Sequence, residues 1–191
     1  MTIYFTSDTH FHHKKILEFE NRPCSNVEEM TEHMISKWNE QVEDNDIVYH
    51  LGDFCLGNYE QTVNILQRLK GKIRLIKGNH DYSKTWSKIN KLGLLDEYHE
   101  VGTEIKYNKH SMWLTHYPME IGLRPRKWSI SGHIHSELNN YLNQINVGVD
   151  SPLFSNKPFG ELIHIDELFK VMDERTPEIE KQFLESRGIS N

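Results

Sequence analysis

Five short stretches of this sequence carry side chains that metals favour, and each comes directly after an apolar run. Tyr4-Phe5 leads into Ser7-Asp8-Thr9-His10, Val48-Tyr49 into Gly52-Asp53, and Leu75-Ile76 into Gly78-Asn79-His80-Asp81. Farther on, Trp113-Leu114 leads into His116-Tyr117-Pro118, and Ser129-Ile130 into Gly132-His133-Ile134-His135. Any one of these alone reads as ordinary turn chemistry. The ordered set does not, because sites in α/β proteins form just outside the carboxyl ends of strands, where all five could meet.

The donor types narrow the chemistry. Asp8, Asp53 and Asn79 offer oxygen, and His10, His116, His133 and His135 offer imidazole nitrogen. The set is too rich in nitrogen for calcium and has no thiolate for a structural zinc knot. Manganese, iron, zinc or nickel fits it. Seven donors are too many for one ion and suit two, provided a central carboxylate bridges them.

Something must hold these clusters at one edge. Strand-like runs recur at 3–6, 47–51, 73–77, 112–116, 128–131, 145–149 and 161–165. Helical periodicity separates several of them. Val27, Met30, Met34, Trp38 and Val42 repeat at three- and four-residue spacing, with Ser25 and Glu28 as a capping box. Val63, Leu66 and Leu69 mark a second helix over 59–69, and a third runs over 83–92 with Gly93 as its stop. Thr176 and Pro177 predict the start of a terminal helix over about 177–187, ended by Gly188. The alternation implies an α/β fold with sheet at the centre and helices outside.

At 191 residues the chain suits a single domain over 1–191. No apolar run reaches the roughly 20 residues of a bilayer span, and Cys24 and Cys55 make no disulfide framework. The N-terminus has no secretory pattern, so a reducing cytoplasm is expected. The net charge of −6 argues against coating long nucleic acid. Oligomeric state is not legible.

The ordered motifs Asp8-x-His10, Gly52-Asp53, Gly78-Asn79-His80-Asp81, His116 and Gly132-His133-x-His135 resemble those of the calcineurin-like metallophosphoesterases. The opening through Asn21-Arg22-Pro23 is similar to a small bacterial and phage subgroup. The resemblance implies a four-layer sandwich of two mixed β-sheets flanked by α-helices. It also implies that Asp8, His10 and His135 bind one divalent transition metal, Asn79, His116 and His133 a second, and that Asp53 bridges them. Manganese is favoured. A water shared by two such cations is acidified toward neutrality, and a metal-bound hydroxide would attack phosphorus as the cations neutralise developing charge. His80 would protonate the leaving oxygen. Asp81 either orients that imidazole or caps the helix over 83–92.

His12 and His13 remain over, at the start of an expected helix, and His13 is favoured as a phosphate contact. Arg22, Arg124 and Arg126 could bind substrate phosphate by a bidentate fork. The expected substrate is a phosphodiester or nucleotide phosphate, with diesters favoured over monoesters. A phosphoprotein phosphatase of the same chemistry and a metal-bearing interaction module without turnover are the alternatives; the intact His80 disfavours the latter. A nuclease is a weaker variant, needing a basic path through Lys14, Lys15, Arg22 and Arg124.

Overall fold

A computed structural model describes residues 1–189. Its first half alternates strand and helix: β1 (Ile3–Thr6), α1 (Ile16–Phe19), α2 (Val27–Gln41), β2 (Ile47–His50), α3 (Tyr59–Arg68), β3 (Lys72–Ile76), α4 (Ser83–Asn90) and β4 (Glu97–His99). Strands then dominate, with β5 (Gly102–Tyr107), β6 (His110–Thr115), β7 (Lys127–Ser131), β8 (Gln144–Asn146) and β9 (Ile163–His164), before α5 (Ile165–Glu185).

The strands form two mixed sheets. In the first, ordered β4-β3-β2-β1-β9, the four leading strands are parallel and β9 joins antiparallel. In the second, ordered β5-β6-β7-β8, an antiparallel hairpin is followed by two parallel pairings. An isolated parallel bridge between Ser7 and Gly148 ties the end of β1 to the segment after β8.

Alternation along the first sheet feeds two cores. Val48, Ile73 and Leu75 pack with Met30, Met34 and Trp38 of α2, Ile65 and Leu66 of α3, and Trp86 and Ile89 of α4. Their sequence neighbours Ile47, Tyr49 and Ile76, with Phe5 of β1, pack with Met112, Leu114, Trp128, Ile130 and Ile145 of the second sheet. Residues i and i+1 of a strand face opposite ways, so both faces of the parallel sheet are covered. The fold is α/β: two mixed sheets with flanking helices.

Local details differ from the periodicity. The N-cap of α2 is Asn26, whose side chain accepts the Glu29 amide at 2.8 Å, while the Glu29 carboxylate accepts the Ser25 amide. The N-cap therefore sits one residue later than Ser25, and the reciprocal bond of a capping box is absent, because Glu29 reaches the amide before the cap. The terminal helix does not start at Thr176. It starts at Ile165, capped by His164, and runs through Pro177, because Ile165, Leu168, Phe169, Met172 and Ile179 form one continuous buried stripe. Burial of those side chains outweighs the roughly 3 kcal/mol an internal proline costs. Strands β4 and β5 had no sequence reading at all. Among the described residues, no helix is long and apolar enough to cross a membrane.

Candidate metal centre

Parallel pairing puts the ends of β1, β2 and β3 at one edge of the first sheet, and the ends of β6 and β7 meet them from the second. All five polar clusters follow those ends. Two glycines make the approach possible. A Cβ on Gly132 would lie 2.0 Å from Ser7 Oγ and 2.2 Å from Asp8 Oδ2, and one on Gly78 would lie 2.2 Å from Asp53 Oδ1. Asp8, His10, Asp53, His133 and His135 hold φ between 45° and 70°, a left-handed conformation uncommon for residues other than glycine.

Asp53 sits in the middle. Its Oδ1 accepts the His80 amide at 2.8 Å, while Oδ2 lies 3.5 Å from His10 Nε2 and 3.5 Å from His116 Nε2. Burial raises the Asp53 pKa, but His116, the His80 amide and His10 outweigh it and hold the carboxylate down to about 2. His116 faces Leu51 O at 2.8 Å with Nδ1 and Asn79 Oδ1 at 2.8 Å with Nε2. Its pKa is raised: burial works against the charged ring, and Asp53 and Asp8 override burial.

Asp8 is wholly buried. Its Oδ2 accepts the His133 amide at 2.9 Å, its Oδ1 has no hydrogen-bond partner, and His10 Nε2 is likewise buried without one. Burial drives the His10 pKa down to about 3, so the ring is neutral and one of its two nitrogens presents a lone pair. Among the described residues three tight groups stand out, Asp8 with His10 and His135, Asp8 with Asp53 and His116, and Glu20 with His135 and Asp150, each with ligand atoms within 4.8 Å of one another. Buried orphan donors of nitrogen and carboxylate type fit divalent cations, since unpaired polar atoms in a protein interior cost about 1–3 kcal/mol each. Asp8 thus belongs to the first two groups, and Asp53 to the second. His133 stands just outside them, its ring centroid 5.0 Å from that of His116 and 4.3 Å from that of Tyr117.

His80 is exposed at the mouth, its ring 5.4 Å from His10. His13 lies beside both, with Nδ1 3.3 Å from His10 Nδ1 and its ring 6.4 Å from His80. The helix expected to start there is α1, a single turn beginning three residues after His13.

Three expectations are corrected by this geometry. Asp81 neither orients His80 nor caps α4, whose N-cap is Tyr82. Its carboxylate accepts the amides of Asp53 (2.7 Å), Gly78 (2.8 Å) and Phe54 (3.1 Å), tying the β2 and β3 ends together. Burial pushes this carboxyl up to about 6 against those three amides. Asp81→Asn turns an amide N–H toward one of them, which should cost about 1–3 kcal/mol. A lowered thermal midpoint with an unchanged pH profile of hydrolysis is the expected result, whereas a shifted profile would return Asp81 to His80.

Arg22 is not available to substrate either. Its buried guanidinium donates to Asp150 Oδ1 (2.9 Å) and Oδ2 (2.7 Å), Thr9 O (2.8 Å), Asp8 O (2.6 Å) and the Met30 sulfur (3.5 Å), which uses all five N–H groups. Arg124 and Arg126 lie before β7, where Arg126 O accepts the Ser111 amide at the opposite end of β6 from His116. At about 3.3 Å per residue, five residues of strand separate them from the cluster by roughly 16 Å. Asp150, which the sequence reading passed over, is brought in by its contact with His135; its only signal was an acidic residue shortly after β8.

A family model for the calcineurin-like phosphoesterase superfamily domain matches residues 1–149. The chain belongs to that superfamily. For this phosphoesterase, membership implies divalent metal ions, and the two groups around Asp8 and Asp53 are where its own residues could hold them. The uncharacterized protein MJ1445 of Methanocaldococcus jannaschii is 37% identical over 158 residues, 78% of this phosphoesterase and 81% of that protein. The Gene 66 protein of Mycobacterium phage L5 is 24% identical over 208 residues, 89% and 93% of the two chains. The fold is also that of AQ665, a protein of unknown function from Aquifex aeolicus, with a TM-score of 0.66 at 24% identity over 89% of this chain and 98% of that one.

Proposed function

We propose that this phosphoesterase uses two divalent cations, manganese first among them, to hydrolyse a phosphodiester or nucleotide phosphate in the cytoplasm. The observation that carries the reading is Asp53 Oδ2, equidistant at 3.5 Å from His10 Nε2 and His116 Nε2, beside the orphaned Asp8 Oδ1. When bound, such cations supply charge neutralisation at phosphate oxygens and a more acidic water. Asp8, His10 and His135 would hold one, Asn79, His116 and His133 the other, and Asp53 both. His80 stands at the exposed mouth, with its backbone fixed by Asp53, and its imidazole N–H delivers a proton to the leaving oxygen. His13, beside His10 and His80, hydrogen-bonds a phosphate oxygen. The free Cys24 and Cys55 fit a reducing compartment.

The test is hydrolysis of bis-nitrophenyl phosphate by metal-stripped protein with manganese restored. His80→Ala should lower kcat by about 10²–10⁴-fold with an unchanged thermal midpoint, the usual range for one general acid. Full activity in that variant would remove His80 from the proton transfer. Inactive wild type that turns over phosphopeptides instead would favour a phosphoprotein phosphatase.

A further inference from the structure

His135 has two faces. Its Nε2 looks toward Asp8 Oδ1 at 3.9 Å, within the first ligand group, and its Nδ1 lies 3.0 Å from Asp150 Oδ2. A carboxylate can only accept, so this contact puts a proton on Nδ1 and, in the neutral ring, leaves Nε2 bare. Glu20 also faces Nδ1, but at 3.9 Å it is beyond hydrogen-bond reach.

Asp150 is itself held from behind. Arg22 grips both of its oxygens, and the same guanidinium binds the backbone carbonyls of Asp8 and Thr9. The side chains of Arg22 and Asp150 are 0% and 5% exposed. A buried ion pair is a poor way to gain stability, because desolvation offsets most of the attraction. Fixing geometry is the attested use of such groups, and here the pair links the backbone carrying Asp8 to the ring of His135. These are two ligands of the same group, 127 positions apart in the chain and joined through one planar fork.

We infer that Arg22 and Asp150 are positioning residues for the cation held by Asp8, His10 and His135, setting the His135 tautomer and the Asp8–Thr9 backbone together. The inference rests on the proposed metal centre. Asp150 lies one residue past the span of the family match. Partners of this kind affect metal affinity by about 10–100-fold. The proposed second set, Asn79, His116 and His133 with the shared Asp53, makes no hydrogen bond to either residue, and Asp150 reaches Asp8 only through the Arg22 fork.

The experiment uses the full chain and manganese alone. Binding isotherms of the metal-free protein should show two classes of site in the wild type. Asp150→Ala should weaken one class by about 10–100-fold and leave the other within about threefold. Asp150→Asn, which keeps the volume and one acceptor oxygen, should do so to a smaller extent and serves if the alanine variant does not fold. Nitrogen NMR of the metal-free proteins at pH 8 supplies a signature that a merely structural role would not move. His135 should carry its proton on Nδ1 in the wild type and move it to Nε2 in Asp150→Ala. An unchanged tautomer, or equal weakening of both classes, overturns the inference. Wild type that binds no manganese would defeat the dinuclear reading instead, while the tautomer spectrum would still decide the link between Asp150 and His135.

Discussion

Asp53→Asn is expected to lower manganese-dependent hydrolysis by about 10³-fold or more, about 4 kcal/mol of transition-state stabilisation. Asparagine keeps the shape, and its amide oxygen can still accept the His80 amide as Asp53 Oδ1 does at 2.8 Å. The N–H₂ group then takes the place of Oδ2, 3.5 Å from two imidazole nitrogens. A neutral donor stands where a shared anion is needed, and two cations a few ångströms apart repel by several kcal/mol even when well screened. The metal-free variant should unfold somewhat below the wild-type midpoint, since a carboxylate held down to about 2 contributes stability at neutral pH that a neutral amide does not. What disappears is the rise in midpoint that manganese gives the wild type, which follows from binding the native state alone. Hydrolysis within tenfold of wild type would show that Asp53 is not the shared ligand.

Arg22→Ala should behave in the opposite way, with its main effect on the empty protein. The side chain has no exposed surface, and its removal leaves the Asp150 carboxylate with only His135 beside it and takes donors from the carbonyls of Asp8 and Thr9. Breaking a buried pair from one side typically costs about 3–5 kcal/mol. For a chain of this length that corresponds to a fall of roughly 6–20 °C in the thermal midpoint. Removing Asp150 as well should recover part of the loss, because the unpaired charge goes with it. A midpoint within about 2 °C of wild type, combined with a raised KM, would instead return Arg22 to the substrate.

The parts legible in sequence were those fixed locally. An apolar run ending in Gly-Asp or Gly-Asn-His declares both its strand and the side chains just past it, so the convergence of five strand ends could be anticipated. The face of α2 was plain from spacing, whereas that of α3 was read only in part: Leu66 is buried, but Thr62 and Ile65 flank it where Val63 was expected. What stayed hidden was set by distant packing. Arg22 and Asp150 are 128 residues apart, and nothing near either one signals that the other will claim it. Arg124 and Arg126 read as phosphate ligands because they are basic and close in sequence to His116, yet residues 117–126 carry the chain back to the far end of the sheet. Asp81 follows His80 directly but turns to amides of the neighbouring loop. Strand β5 escaped notice because its hairpin turns at Asn108-Lys109, with φ of 46° and 65° and no glycine to announce it.

The left-handed backbone at Asp8, His10, Asp53, His133 and His135 has an evolutionary consequence. Each such residue destabilises the native chain by about 1–2 kcal/mol relative to a relaxed conformation. Glycine at any of these positions would relieve that strain and delete a donor in a single step. Selection for foldability alone would therefore not oppose such substitutions. Descendants that lose the chemistry should be easy to reach, and each donor so lost would be regained only by re-entering left-handed backbone.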